Sequence, residues 1–344
     1  MARLIDSIAE LDGFQASWEA LAGGDPLSGF AYARAWAGTL GPAESLHVLV
    51  EEGDQALGIA PLILQRRGAG WLTQIALETY EILDLPCRDG ATASALAGAI
   101  YKSGRPLFLN RVPLGSPMVQ AIDGAYRRRG WVIRKQGTGS PYIALDDSWR
   151  QPESHLNSGR RSDLRRARRH ADESGGVGFE IHSPSASELP ALMEEVFRVE
   201  AAGWKGATGT ALAVDPGLRS FYQQYAALAQ RQGVLRVCFL KIGERAAAAQ
   251  LAVETEDRFS LLKVGYDEEF ARCSPGLLLT VETIRHAAER GLRSYEFNGK
   301  VERWTEVWTK DERPCCSIRA YPMSVRGFTA LASGGCRAAW RKLR

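Results

Sequence analysis

Apolar positions recur with helical spacing over Ile8 to Leu21 and again over Tyr32 to Leu40, after which the period shortens. Leu46 to Glu51 and Leu57 to Gln65 are short apolar-rich runs around Gly53-Asp54, and together they predict a β-hairpin. Pro106 to Asn110 then reads as a strand, Met118 to Arg129 as a helix, and Trp131 to Lys135 and Tyr142 to Leu145 as strands. A polar connection over Asp146 to Pro152 suggests a domain boundary.

The second half repeats this plan. Helices are expected over Asp163 to Glu173, Glu188 to Gly203 and Leu218 to Gln232, with a strand over Gly178 to His182. A hairpin over Leu235 to Lys241 and Arg245 to Glu254 follows, then a strand over Phe259 to Gly265. The two hairpins, LHVLVEEGDQALGIAPLIL and LRVCFLKIGERAAAAQLAV, align by pattern more than by identity, which points to a duplication. An α+β arrangement without duplication is the alternative. After the loop from Tyr266 to Cys273, Ser274 reads as an N-cap and Pro275 as the first position of a helix ending before Gly291, with Ser294 to Phe297 as the next strand. Leu278, Val281, Ile284 and Ala288 form the apolar face of that helix.

A chain of 344 residues, 45% apolar, has material for two cores. The division expected is 1–150, 151–325 and a basic tail, 326–344. No run of about 18 apolar residues is present, and the start MARLIDSIAELDGF carries Asp6 and Glu10 where a secretion signal is apolar, so a soluble cytoplasmic protein is expected. Six cysteines without CxxC spacing argue against disulfide scaffolds and structural zinc.

Net charge is only +3, but it is unevenly placed. Arg160 to His170 holds six arginines against Asp163, and the tail holds Arg326, Arg337, Arg341, Lys342 and Arg344 with no acid. The arginine segment has two readings, a solvated helix or a helix that meets phosphates. The tail likewise reads either as a disordered end or, through Phe328, Leu331, Trp340 and Leu343 among its bases, as a segment lying on an anionic membrane, although its paired glycines weaken a continuous helix.

Free N–H groups and the positive dipole end at a helix start suit a pyrophosphate, so Ser274, Gly276, Leu277 and Leu278 form a candidate phosphate site, with N–H donors at the last three. The five histidines show no metal spacing, and neither a G-x-S-x-G elbow nor an HHxxxD motif occurs.

The run RRSDLRRARR, then EAAGWKGATGTA before FYQQYA, then LLKVGYDEEFARCSPGLLL, resembles the acetyltransferase family named for the cellulose-biosynthesis protein CelD, within the GNAT superfamily. The resemblance covers about Ser154 to Tyr321. It implies two tandem GNAT-like α+β domains, each a mixed, mostly antiparallel sheet flanked by helices, as in the Fem peptidoglycan transferases. Two central strands would splay to admit the pantetheine arm of acyl-CoA, the implied co-substrate, with Ser274, Gly276, Leu277 and Leu278 along the pyrophosphate. The usual Q/R-x-x-G-x-G/A phosphate motif is absent, since YDEEFARCSPG offers a single glycine.

An amine attacking a thioester must lose a proton, and the thiolate must gain one. Glu200 and Asp267 are the candidate bases and Tyr266 the candidate acid; the plain alternatives are a solvated helix acid and a closed turn. Lys205 and Lys263 would suit an anionic donor or acceptor, Trp204 and Trp308 an acyl or acceptor groove, and Asn298 a close approach at a strand end, against plain roles as edge lysines, core tryptophans and a turn. The reaction implied is acyl transfer from acyl-CoA to an amine acceptor, a long-chain lipid amine or other envelope precursor, with the first domain shaping the acceptor groove. A Fem-like transfer from aminoacyl-tRNA is the second reading, which would make nucleic acid a partner, and a binding module in polysaccharide synthesis is the third.

Overall fold

The computed structural model describes residues 2–52, 56–66, 68–74, 81–203 and 215–342. Contacts divide the chain into one unit of residues 1–139 with 313–344 and a second of residues 140–312. Each unit carries mixed sheets flanked by helices, an α+β fold.

In the first unit a three-stranded sheet joins Arg3–Ile5, Val48–Glu52 and Ala56–Ala60. A six-stranded sheet runs in the spatial order Glu44–Leu46, Leu62–Gln65, Trp71–Gln74, Leu107–Pro113, Cys315–Pro322, Gly130–Gln136. Each arm of the expected hairpin is thus two strands, broken at His47 and at Pro61, and the expected first helix is two, Ile8–Asp12 and Gln15–Ala22, interrupted at Gly13 and Phe14. Pro61 has no N–H for a ladder, a reason for the sheet to divide there. The helix Gly90–Lys102 was not legible as a helix, because ATASALAGAI has small residues where a period of large apolar ones would show. It packs against the helix Pro117–Tyr126 over a core of Leu96, Ile100, Leu109 and Ile122. The tail forms a helix, Val325–Lys342, despite its glycines. At Gly327 a Cβ would stand 1.9 Å from the Pro322 carbonyl oxygen, so that glycine lets the helix pass close to the strand before it.

The second unit contains β1 (Ser140–Ala144), α1 (Ser158–Glu173), β2 (Val177–His182), α2 (Leu189–Ala201), α3 (Pro216–Arg231), β3 (Leu235–Ile242), β4 (Arg245–Glu254), β5 (Arg258–Tyr266), α4 (Pro275–Glu289) and β6 (Ser294–Glu296). The spatial order is β2-β3-β4-β5-β6-β1, antiparallel throughout except for the parallel pair β5-β6. α1 and α4 cover one face, where Ala167 and Ala171 of α1 and Leu278, Leu279 and Ile284 of α4 meet Ala248, Ala252 and Phe259. α2 packs on β4 and β5 from the other face, with α3 beside it on β3. Burial of each large apolar side chain in this core contributes about 1.5–3 kcal/mol.

Both units contain a strand, a helix and a parallel strand in succession: Trp71–Gln74, Gly90–Lys102, Leu107–Pro113 in one and β5, α4, β6 in the other. The duplicated pattern read from the hairpins therefore extends into the topology. The strands closing the sheets are exchanged along the chain. β1 follows the first unit's last continuous strand yet pairs with β6, and Cys315–Pro322 follows the second unit yet inserts between Leu107–Pro113 and Gly130–Gln136.

Candidate active site

β5 and β6 pair only from Arg258↔Ser294 to Ser260↔Glu296, while β5 continues to Tyr266 against β4 alone. The sheet therefore opens along the last six residues of β5. At the fork the Asn298 amide, on a residue with φ of +56°, donates to the Leu261 carbonyl at 2.6 Å and ties the diverging chain back to β5. Asn298 is thus at the mouth of the opening, as a strand-end position suggested.

A bulge at Leu251/Ala252 in the β4-β5 pairing shifts which β5 side chains face which layer. Beyond it Val264 and Tyr266 pack with the α4 layer, whereas Lys263 and Gly265 face α3 and α2. The Lys263 ammonium lies 5.2 Å from the centre of the Tyr222 ring. A Cβ on Gly265 would stand 2.8 Å from the Glu200 Cα, and one on Gly203 would stand 2.8 Å from the Tyr266 carbonyl oxygen. These two glycines let the end of α2 lie directly on the end of β5, which places Glu200, 2% exposed, beside the opening.

Asp267 is buried as well, but its carboxylate is engaged. Oδ1 accepts from the Glu269 N–H (3.0 Å), Oδ2 accepts from Arg245 (3.1 Å), and Arg198 of α2 is 3.6 Å away. Arg198 also donates to the Ala246 carbonyl and pairs with Glu195, chiefly through a hydrogen bond that raises the guanidinium pKa further. Asp267 thus joins β4, α2 and the turn after β5, two residues along α2 from Glu200.

At the start of α4, Ser274 occupies the N-cap position with φ of +44° and makes no side-chain cap bond, unlike the N-cap expected from its identity. The N–H groups of Leu277 and Leu278 both turn back to the Ser274 carbonyl (3.0 and 3.2 Å), and the Leu278 side chain is in the core. Of the three expected donors, Gly276 alone keeps an N–H without a backbone acceptor among the described residues. Its Cα faces Tyr266, whose Cδ1 would lie 3.7 Å from an added Cβ. The end of β5 thus has Tyr266 and Gly276 on its α4 side and Glu200 on its α2 side.

Sequence reading missed the polar chain beneath this turn. Tyr295 donates to Thr283 (2.8 Å), Thr283 to the Gln250 carbonyl oxygen (2.9 Å), the Gln250 amide to Thr280 (3.1 Å), and Thr280 to the Gly276 carbonyl (2.8 Å). Burial pushes the Tyr295 phenol well above its ordinary range, so it remains a donor. A lone glutamine inside AAAAQLAV was the available signal. Trp308 is a core residue at 6% exposure, away from any groove surface, because its ring fills the cluster under α4; Trp304 is the exposed one. Trp204 and Lys205 lie outside the described residues.

α1 begins at an Asn157 cap that accepts from the Arg160 N–H (2.9 Å) and packs beside α4 and the turn Glu268–Cys273. Its exposed arginines are partly paired, Arg166 with Asp163 and Arg168 with Asp172, while Arg160 and Arg165 face solvent. In the first unit a groove of about 600 Å³ runs between Gly90–Lys102 and Pro117–Tyr126, floored by Gly98, Ala121 and Gly124, with Lys102 and Arg129 among its lining. Among the described residues no helix is long and apolar enough to cross a membrane, and no cluster of His, Cys, Asp and Glu is shaped for a metal ion.

The forked parallel strand pair lies within the part of the chain that the family comparison matches. Residues 158–306 match the acetyltransferase (GNAT) domain family. The GNAT match thus spans α1 through β6 and the segment that follows it. No curated protein matches the sequence. Among solved structures, the C-terminal domain of a protein described as a lysylphosphatidylglycerol synthetase from Agrobacterium fabrum has a TM-score of 0.60 at 12% identity, covering 91% of this chain and 92% of that one. A conserved protein of unknown function from Bacteroides thetaiotaomicron reaches 0.59 at 9%, covering 93% and 99%. FemX reaches 0.56 at 11%, covering 94% and 97%. At these identities the likeness is one of fold.

Proposed function

We propose that the second unit transfers an acyl group from acyl-CoA to an amine, with the donor's pantetheine arm in the fork between β5 and β6. The observation that carries this reading is the opening of β5 away from β6 after Ser260, with Tyr266 against Gly276 on the α4 side of the free end of β5 and Glu200 against Gly265 on its α2 side. In this reading Glu200 accepts the proton of the attacking amine, directly or through water, and the Tyr266 hydroxyl protonates the departing thiolate. Asp267 holds α2 against β4 and so positions Glu200. The Gly276 N–H and the adjoining helix start, with Ser274, Leu277 and Leu278 forming its first turn, meet the pyrophosphate. Lys263 supplies charge beside the cleft. The motifs quoted above support a CelD-type reading, in which a lipid amine or other envelope precursor is the acceptor class we favour. The tandem plan supports a role for the first unit in choosing the acceptor.

Calorimetry with CoA and with short and long acyl-CoAs tests the donor. Heat that depends on chain length, retained in Gly276→Ala and lost in Gly276→Trp, is expected, because an alanine Cβ has room beside Tyr266 and an indole does not. Silence with every CoA, together with a salt-dependent response to charged tRNA, would replace this donor with the aminoacyl-tRNA reading. The exposed Arg160 and Arg165 and the FemX-like fold are the observations behind that second reading.

A further inference from the structure

The edge strand of the first unit's six-stranded sheet carries an outward surface unlike that of an ordinary soluble domain. Along Gly130–Gln136 the inward positions are Val132, packed on the core, and Arg134, paired with Asp123 at 3.2 Å. The outward positions Trp131 and Ile133 are 40% and 48% exposed. The Trp131 ring meets Phe328 edge-on at 5.2 Å, and Phe328 is itself 50% exposed. Met323, whose N–H bonds the Arg129 carbonyl, is 58% exposed, and Val325 is 81% exposed. A sheet edge, the turn after Cys315–Pro322 and the first turns of the tail helix therefore share one apolar surface, larger than the scattered single apolar residues of a typical exterior.

The chain segments that carry this surface are basic. Residues 124–145 contain Arg127, Arg128, Arg129, Arg134 and Lys135 and no acid, and residues 313–344 contain seven bases and no acid. Arg134 is neutralised by Asp123, and Arg319, opposite Ile133 in the pairing, lies over the Phe108 ring at 5.0 Å. Arg127, Arg128, Arg129, Lys135 and Arg326 are exposed.

We propose that this face docks peripherally on an anionic lipid bilayer. Trp131, Ile133, Met323 and Phe328 enter the headgroup boundary, and Arg127, Lys135 and Arg326 meet lipid phosphates. Aromatic and aliphatic side chains ringed by bases suit that boundary, where a polar headgroup region overlies hydrocarbon. A nucleic-acid backbone would satisfy the bases and leave Met323 and Val325 in water. Bases alone on an edge strand serve to prevent sheet-to-sheet association, but such a role does not call for exposed tryptophan, methionine and phenylalanine beside them. The docking is independent of the transfer chemistry.

Sedimentation of the full chain with vesicles tests it. Binding is expected to vesicles of phosphatidylcholine containing phosphatidylglycerol, to weaken with salt, and to be absent with phosphatidylcholine alone. The variant R127E/K135E/R326E, which leaves the apolar residues in place, is expected to lose binding by more than 100-fold, at about five-fold for each base removed from an anionic surface. W131S/F328S is expected to lose at least ten-fold with its melting temperature kept; if it fails to fold, the charge variant decides alone. Equal binding to both vesicle types, wild-type binding by the charge variant, or self-association through this face in place of vesicle binding would overturn the proposal. Acyl-CoA calorimetry on the charge variant separates this outcome from the active-site reading, since the fork lies in the other unit.

Discussion

Gly265 faces Glu200 so closely that a Cβ at the glycine would stand 2.8 Å from the glutamate Cα and 3.1 Å from its Cβ and Cγ. No rotamer change relieves a clash with a Cα, so α2 and the end of β5 would have to separate. Gly265→Ala is therefore expected to destabilise the fold by about 1–3 kcal/mol, typical of an overpacked contact. Its turnover should fall more than its acyl-CoA affinity, because the donor side of the fork is formed by α4. Denaturant unfolding alongside calorimetry checks both parts, and a variant as stable and active as the parent would refute the close packing.

Glu200→Gln keeps the shape of the side chain and removes its capacity to take a proton. Turnover should drop about 10²–10⁴-fold, the usual contribution of a positioned general base, with acyl-CoA binding unchanged. Turnover within a few fold of the parent would move the base elsewhere.

Glu254 sits at the end of β4 opposite Phe259, where β5 is still paired with β6; there Arg236 donates to both of its oxygens (3.1 and 3.3 Å), His286 Nε2 is 2.7 Å away and Arg290 is 3.4 Å away. Burial pushes this carboxyl upward, but the bonds from His286 and Arg236 outweigh it and hold the pKa at about 2 against an ordinary 4.5. A carboxyl lowered on folding stabilises the protein fully above about pH 4.5, and that contribution is lost as pH falls from there toward 2. About 2 kcal/mol should disappear across this window, and Glu254→Gln should flatten the dependence. Melting curves between pH 3 and pH 6 read the difference.

Ser274 holds a left-handed backbone that costs an L-residue about 1–2 kcal/mol, with no cap bond in return. Ser274→Gly should raise stability by about 1 kcal/mol. If the strained turn serves only to aim the Gly276 N–H, acyl-CoA affinity should stay constant while the melting temperature rises; a lower affinity would show that the serine side chain itself takes part.

The second unit was readable because its elements have large apolar residues in clear periods and proline or glycine at their ends: Pro275 and Gly291 bracket α4 almost as expected. Asp267 and Glu200 looked alike in the sequence, both candidate bases for the amine. What separates them is tertiary: two arginines, one from α2 and one from β4, reach Asp267 from outside its local sequence. Trp308 and Ser274 show the same limit: residue type left a groove wall and a core position both open for the tryptophan and favoured a cap for the serine, while packing made one core and backbone torsion left the other strained. The exchange of closing strands left no mark on local pattern: Tyr142 to Leu145 reads as an ordinary strand whichever sheet receives it, and Cys315–Pro322 does not read as a strand at all.

That exchange orders events at the ribosome. Residues 1–139 emerge first, yet their six-stranded sheet has no strand between Leu107–Pro113 and Gly130–Gln136 until Cys315–Pro322 leaves the exit tunnel. The second unit, 140–312, is complete before that moment. The half synthesised first is thus the half that closes last, and during translation it carries two unpaired strand edges that a truncated or stalled chain would expose permanently.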